Sequence, residues 1–136
     1  MIRALIDTNV VLDCLARRQP FVHDADGIFD LIEKGSVLGF VTASSVTDIH
    51  YLLGKAIGIN LSLRAMEYLF EAFEVLSVTK ADCVNALRST IKDYEDALIA
   101  ECANNAELDF IVTRDMEFLN YPKAISPTDF LKKISL

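Results

Sequence analysis

The sequence predicts an α/β fold in which helices cover both faces of a mainly parallel β-sheet. Short apolar runs alternate along the chain with longer segments in which apolar residues recur every three or four positions. The runs Ala4-Leu5-Ile6 and "DFIVT" (109–113) lack polar alternation, which is typical of strands buried on both faces. With 136 residues and 52% hydrophobic content, the chain is expected to form a single domain over residues 1–136.

The first half of the chain carries clear signals for where helices begin and end. Thr8 is expected to cap the first helix and Pro20 to end it, because threonine caps helices and proline cannot continue them. Gly35 suits the end of the second helix, and either Thr42 or Ser44 can cap the third. The predicted elements here are a strand at 3–7, helices at 8–18 and 21–34, a strand at 37–41, and helices from 42 or 44 to 58 and at 60–74.

The second half of the chain contains two well-marked helix starts. Thr79-Lys80-Ala81-Asp82 resembles a capping box, with Asp in place of the usual Glu at its last position. Ser126 and Pro127 supply an N-cap and a first-turn proline. The predicted elements here are a strand at 75–78, helices at about 79–89 and 93–106, a strand at 109–113, a turn at 121–122 and a helix from 126.

The formal net charge of −7 argues against a protein that binds nucleic acid through a basic surface. Two explanations would reconcile this charge with a nucleic-acid substrate. The acidic residues can be concentrated in one metal-binding cleft, where divalent ions reverse the local potential. Alternatively, a basic partner can be required.

Three features of the sequence predict a cytoplasmic protein that does not engage membranes. No apolar run approaches the roughly 18 residues of a spanning helix. The N-terminus runs straight into the first strand, so no secretory signal is expected. Cys14, Cys83 and Cys102 are odd in number and lack C-x-x-C spacing, so we expect reduced thiols.

Acidic residues recur at the predicted carboxyl edge of the sheet, where ligands bind in such folds. Asp7 ends the first strand, Asp115 follows the last predicted strand, and Asp48 lies about two turns into the third helix. Asp93 and Asp96 lie three residues apart at the start of the helix at 93–106. Asp7 can be a helix cap, a phosphoryl-accepting nucleophile or a metal ligand. Purely structural roles are also open for most of the others: Asp93 and Asp115 can be caps, and Asp48 can be a solvated surface acid.

Taken together, these acids favour a metal site. Capping does not explain Asp96, which lies inside the first helical turn beside the small residues Ala97 and Ala100. Several carboxylates at one sheet edge repel one another unless a cation lies between them, and such oxygen ligands select Mg²⁺ or Mn²⁺. Divalent ions held in this way suit phosphodiester hydrolysis, because they acidify an attacking water and stabilise the leaving oxygen.

Other catalytic signatures are missing from the sequence. There is no glycine-rich phosphate-binding motif. A phosphoaspartyl phosphatase would carry a second aspartate where Asn9 stands and a threonine where Val11 stands. His23 and His50 lack the spacing of metal ligands and are interpreted as surface or hydrogen-bonded histidines.

Four segments of the chain resemble the PIN domain, and are closest to bacterial VapC-like toxins of toxin–antitoxin pairs. They are "LIDTNVVLD" near the start, "DYEDALIAECA" followed by "LDFIVTRD", and "ISPTDFL" near the end. The resemblance covers essentially the whole chain. It implies a three-layer α/β/α sandwich with a mainly parallel central sheet, and a metal-dependent ribonuclease site built from four acids.

The resemblance assigns the four catalytic acids by position. Asp7 matches the first acid and Asp96 the third, both expected as direct metal ligands. Asp115 matches the fourth, which holds the metal directly or through water. Asp48 stands where the family usually has a glutamate; its shorter side chain is expected to act through a bridging water.

Further residues take supporting roles by the same resemblance. Asn9 and Thr113 match polar positions that orient the acids. Asp93 is an additional acid that can touch the metal, cap its helix or do both, and Arg114 is expected to approach substrate phosphate.

The resulting hypothesis is a Mg²⁺- or Mn²⁺-dependent endoribonuclease that cuts single-stranded or looped RNA as the toxin of a toxin–antitoxin pair. The alternative is a PIN-fold nucleic-acid-binding or regulatory module with weak or no nuclease activity. A structure-selective DNA nuclease of the flap-endonuclease type ranks last, because the chain lacks long insertions and basic helices.

The expected partners are an RNA substrate, a small antitoxin protein and a second copy of the chain. The segment 48–73 carries more apolar residues than one core face requires, and surplus apolar surface on helices marks interfaces. The residues assigned to this surplus are Tyr51, Leu52, Ile57, Ile59, Leu63, Met66 and Phe70.

Overall fold

A parallel five-stranded sheet forms the centre of the computed structural model, which describes residues 1–135. The strands are β1 (Ile2–Ile6), β2 (Val37–Thr42), β3 (Glu74–Leu76), β4 (Phe110–Val112) and β5 (Ala124–Ile125). They lie in the order β3-β2-β1-β4-β5, and every pairing between neighbours is parallel. The predicted α/β class is therefore confirmed, and β1 and β4 lie side by side with their carboxyl ends at one edge.

Helices cover both faces of this sheet. Along β1, Ala4 and Ile6 enter one hydrophobic core while Leu5 enters another, because successive strand side chains point to opposite faces. The first core is completed by α1, α2, α3, α4 and α7, and the second by α6, on which α5 packs. The helices are α1 (Thr8–Leu15), α2 (Val22–Glu33), α3 (Ala43–Ile57), α4 (Ile59–Ala72), α5 (Lys80–Leu87), α6 (Tyr94–Asn105) and α7 (Pro127–Ile134), with a 3₁₀ turn at Phe118–Asn120.

The predicted helix starts in the second half of the chain are present. Thr79 and Asp82 form a complete capping box at α5. The Ser126 hydroxyl accepts a hydrogen bond from the Asp129 amide at α7, and Asp93 caps α6 in the same way. In the first half, Thr42 occupies the N-cap of α3, but its hydroxyl bonds to serine hydroxyls rather than to the helix backbone.

Several boundaries differ from the prediction. The cap of α1 is Asp7 and not Thr8, because the carboxylate accepts a hydrogen bond from the amide of Thr8, which is already helical. The helix ends at Leu15 rather than at residue 18, since Arg17 adopts a φ of 57°, outside the helical region. Strand β3 begins at Glu74, one residue earlier than expected, and the two-residue strand β5 was not predicted at all.

The surface of α3 and α4 exposes large apolar side chains. Tyr51 is 60% exposed and Ile59 is 74% exposed, and Leu52, Leu63 and Phe70 are also counted among the exposed apolar residues. The assignment of Met66 to this surface is wrong: it is only 6% exposed, because it faces the core beneath α4. Ile57 likewise packs partly against that core.

Within residues 1–135, no helix is both long enough and apolar enough to cross a membrane. All three cysteines are free thiols, and burial raises the pKa of both Cys14 and Cys102 to about 12.

Candidate metal centre

The carboxyl edge of the sheet opens into an acidic pocket of about 340 Å³. Strands β1 and β4 deliver Asp7 and Asp115 to this edge because they are neighbours and parallel. The start of α6 adds Asp93 and Asp96, and α3 adds Asp48 from the other side. All five acids named from the sequence therefore line one pocket, together with Asn9.

Asp7 is held at the floor of this acidic pocket by three hydrogen bonds. Its Oδ1 accepts from the amide of Thr8 at 2.9 Å, and its Oδ2 accepts from the hydroxyl of Thr113 at 2.7 Å. The side-chain amide of Asn9 donates to the same Oδ2 at 3.5 Å. Burial raises the pKa of Asp7, and the negative charges of Asp115 and Asp93 raise it further against the opposing effect of the hydrogen bonds.

Asp96 is the acid with the least satisfied environment. It is 7% exposed, and among residues 1–135 its Oδ2 is the one buried side-chain oxygen or nitrogen without a hydrogen-bond partner. Burial raises its pKa to about 8, with a hydrogen bond to Asp115 and the charges of Asp115, Asp93 and Asp7 contributing. An ionised Asp96 has no proton to donate to Asp115, so the pair needs either a retained proton or a cation.

Asp93 and Asp115 combine a structural role with a place in the acidic pocket. The Oδ1 atom of Asp93 accepts from the Asp96 amide at 3.0 Å, which fixes the start of α6 beside the pocket. The Oδ1 atom of Asp115 accepts from the Glu117 amide at 3.0 Å, and the Asp115 amide donates to the Thr113 hydroxyl at 3.0 Å. The capping roles considered for both acids from the sequence are therefore present.

Glu95 is a pocket residue that sequence reasoning missed. It lines the acidic pocket opposite Asp48, and a hydrogen bond between these two carboxyl groups is the main cause of its raised pKa, followed by burial and the Asp48 charge. Glu95 lies in the first turn of α6, where an acid is the ordinary complement to the helix dipole. The signal available in the sequence was the density of acids, since three of the four residues 93–96 are acidic.

Arg114 lies outside the acidic pocket. Its Nε and Nη2 atoms donate to the two carboxylate oxygens of Asp13 at 2.6 and 3.0 Å, and its guanidinium lies 3.7 Å from the centre of the Phe21 ring. The side chain lines a separate pocket beside Met116. The structure thus gives Arg114 a structural role, and its predicted contact with substrate phosphate stays untested.

The donor set of the acidic pocket suits Mg²⁺ or Mn²⁺, which prefer carboxylate oxygens. The unpartnered buried oxygen of Asp96 is the clearest sign of fit, because a cation would satisfy it. As the side chains stand, however, no three His, Cys, Asp or Glu residues in the described part of the chain are grouped closely enough to hold a metal ion. Mg²⁺ usually keeps several waters and takes one or two carboxylates, so binding does not depend on three protein ligands in one group.

Solved structures from several organisms share this architecture. A toxin–antitoxin complex from Klebsiella pneumoniae contains a chain with 21% identity and a TM-score of 0.68, covering 91% of this chain and 97% of that chain. PAE2754 from Pyrobaculum aerophilum has 18% identity and a TM-score of 0.71, covering 98% and 96%. The Sarcin-Ricin loop cleaving toxin VapC20 from Mycobacterium tuberculosis has 12% identity and a TM-score of 0.72, covering 88% and 95%. At these identities, the likeness shows a shared fold.

The family of the chain follows from a comparison of its sequence with family models. No curated protein sequence matches the chain. The model of the PIN domain, by contrast, matches residues 3–117, which include every acid of the acidic pocket. Because this match spans well over half of its residues, the chain belongs to the PIN domain family.

Proposed function

We propose that the protein is a Mg²⁺- or Mn²⁺-dependent endoribonuclease and the toxin of a toxin–antitoxin pair. The observation that carries the proposal is the buried, unpartnered Oδ2 of Asp96 in a pocket lined by five further acids. Such an arrangement destabilises the metal-free protein, and a divalent cation relieves it. Membership of the PIN family, whose members are nucleases, supports the same conclusion.

In this proposal Asp7, Asp96 and Asp115 would hold the ion, Asp93 would assist them, and Asp48 would act through water or through Glu95. A bound divalent ion would acidify water and offset the charge that develops on the phosphate. The chain contributes positioning: Thr113 and Asn9 fix the Asp7 carboxylate, and Asp93 fixes the start of α6. Thr113 also bonds to the amide of Asp115, so one hydroxyl orients two acids.

The assignment of RNA as the substrate rests on similarity and on chemistry. One structural neighbour is described as a toxin that cleaves the Sarcin-Ricin loop, and another as part of a toxin–antitoxin complex. The net charge of −7 is compatible with RNA cleavage when acids gather in one pocket that binds cations.

Cleavage of RNA in the presence of Mn²⁺ tests the proposal. We expect the wild-type chain to cut total RNA, and Asp7→Asn and Asp96→Asn each to lower the rate by at least about a hundredfold, as for the loss of an electrostatic catalytic group. Asp129→Asn is the matched control, because it removes one exposed carboxylate at the start of α7 and should leave the rate unchanged. Equal rates for wild type and Asp7→Asn would show that the activity is a contaminant.

The proposed partners follow from the exposed apolar surface of α3 and α4. Ile59, Leu63 and Phe70 are each at least half exposed, which suits a two-fold homodimer interface or an antitoxin segment. Light scattering at tens of micromolar should give twice the chain mass, and a monomer would contradict the homodimer. We also propose a cytoplasmic location, which matches the three free thiols.

A second candidate function is a PIN-fold nucleic-acid-binding or regulatory module without catalysis. Two observations favour it. Among residues 1–135, no three His, Cys, Asp or Glu side chains are grouped closely enough to bind a metal ion. The residue at position 48 is an aspartate, whose side chain is shorter than that of the glutamate usual in the family. A thermal-shift titration separates the two candidates, because a ligand that binds the folded state raises the melting temperature. Stabilisation by micromolar Mn²⁺ that Asp7→Asn abolishes would exclude the module.

A further inference from the structure

A second pocket, of about 390 Å³, adjoins the acidic pocket. Asp93 and Asp96 line both, so the two cavities share a wall at the start of α6. We call the second cavity the side pocket; its remaining lining residues are Thr90, Ile91, Lys92, Glu117, Phe118, Asn120, Tyr121 and Pro122.

Part of the side pocket's wall is aromatic and apolar. Tyr121 is half-buried and packs at 50° against the buried ring of Phe118, with ring centres 6.1 Å apart. Ile91 packs against the same core from the opposite loop. Because the Tyr121 ring already packs against Phe118, it loses little conformational entropy when a planar group stacks on it. Proteins commonly bind unpaired bases by stacking them on aromatic side chains.

The polar groups of the side pocket suit a base and not a phosphate. Three acidic residues line it, Asp93, Asp96 and Glu117, and Lys92 is the one basic residue of the lining. This excess of acidic residues disfavours a phosphate in the cavity. An ionised carboxylate only accepts hydrogen bonds, so Glu117 favours a base with an amino donor, and Asn120 can both donate and accept.

We propose that the side pocket binds one unpaired base of the RNA next to the cleaved phosphodiester, and that it prefers adenine or cytosine over uracil. Tyr121 is the stacking platform and Glu117 the group that reads the amino donor. Uracil presents the carbonyl oxygen O4 where cytosine and adenine present an amino group, so in the same pose it places an acceptor against a carboxylate. This inference rests on the proposed ribonuclease function, since the shared wall is what brings the base beside the reacting phosphate.

Nucleosides test the side pocket without metal or cleavage. Cytidine, adenosine and uridine are titrated into ¹⁵N-labelled, metal-free protein and followed by NMR. We expect cytidine and adenosine to shift the amides of Lys92, Asn120 and Tyr121, with uridine binding about tenfold more weakly. Equal affinity for all three nucleosides, or shifts only elsewhere in the molecule, would overturn the proposal.

Three variants assign the roles, and a dispersed spectrum shows that each is folded. Tyr121→Leu should weaken cytidine binding about tenfold or more by removing the ring, while Tyr121→Phe should retain it. Glu117→Gln should reduce the preference for cytidine over uridine, because an amide donates as well as accepts. Unchanged cytidine affinity in Tyr121→Leu would contradict the stacking role.

The cleavage assay with Mn²⁺ keeps this proposal separate from the ribonuclease itself. If the protein cleaves RNA without a base preference beside the cut, and Tyr121→Leu cleaves at the same rate, the base-binding proposal is overturned and the ribonuclease function stands. Nucleoside binding at the side pocket without RNA cleavage would support the base site and contradict the proposed ribonuclease function.

Discussion

Asp13 and Asp96 are both buried aspartates, but they lie in opposite electrostatic surroundings. Asp13, in α1, is 1% exposed and receives two hydrogen bonds from Arg114. Asp96, in α6, is 7% exposed, and within the described residues its Oδ2 has no partner while Asp7, Asp93 and Asp115 add negative charge around it. Burial is thus common to both, and only the partner differs.

The comparison separates a structural acid from the acid that we propose binds metal. The Asp13–Arg114 pair ties α1 to the segment after β4, and the next residue is Asp115, so the pair helps to set one wall of the acidic pocket. Asp96 forms no such ion pair, and within residues 1–135 no hydrogen-bond donor reaches its Oδ2. An acid that the fold buries without pairing is the one we expect to bind a ligand.

The largest predicted effect concerns the paired acid. Arg114→Ala leaves Asp13 buried without its partner, which we expect to lower the free energy of unfolding by about 3–5 kcal/mol. Urea unfolding measures this loss. Arg17→Ala is the matched control: it breaks the Arg17–Asp26 pair, whose side chains are 64% and 37% exposed, and exposed pairs contribute at most about 1 kcal/mol. Equal losses in the two variants would show that Asp13 is not stabilised by Arg114.

An intermediate effect is predicted for the unpaired acid as the pH changes. Burial and Asp115 raise the pKa of Asp96 from 3.8 to about 8, and the pKa of Asp7 is raised in the same direction. Between these values the folded protein keeps a proton that the unfolded chain has lost, so the contribution of these acids to metal-free stability is fully present below about pH 4 and is lost towards pH 8. Asp96→Asn should flatten this fall. Urea unfolding in a chelator across this pH window gives the slope, and an identical slope in Asp96→Asn contradicts the prediction.

The smallest effect is predicted for Asp7→Asn in the metal-free protein. Asparagine retains an oxygen that can cap α1, and the change removes a buried negative charge near Asp115. The free energy of unfolding should therefore change by less than about 1 kcal/mol or rise. A loss above about 2 kcal/mol, typical of a buried hydrogen-bond anchor, would mean that Asp7 is mainly a structural residue.

The sequence predicted the parts of the molecule that follow from local chemistry. Apolar runs predicted β1 and β4, and the capping signals at Thr79 and Ser126 predicted α5 and α7. Strand β5 has two residues and a single neighbour in the sheet, so its apolar pattern is too short to be distinguished from a loop. Its hydrogen bonds to β4 exist only once the chain is folded.

The contacts that sequence reasoning did not predict around the acidic pocket join residues far apart in the chain. Topology predicted that Asp7 and Asp115 would meet, because both follow parallel strands. The pairing of Arg114 with Asp13 was not predicted, because nothing in the sequence links two residues that lie 101 positions apart. Glu95 was passed over because its contact with Asp48 depends on how α3 and α6 approach each other across the acidic pocket.

Calorimetric titration with Mn²⁺ tests most directly whether the unpaired acid is a metal ligand. We predict that the wild-type chain binds Mn²⁺ with micromolar affinity, that Asp96→Asn loses this binding, and that the control Asp129→Asn retains it. Binding should weaken at low pH in the wild type, because protons compete for the carboxylates. Equal Mn²⁺ affinity in wild type and Asp96→Asn, or no binding by the folded wild-type chain, would contradict the account.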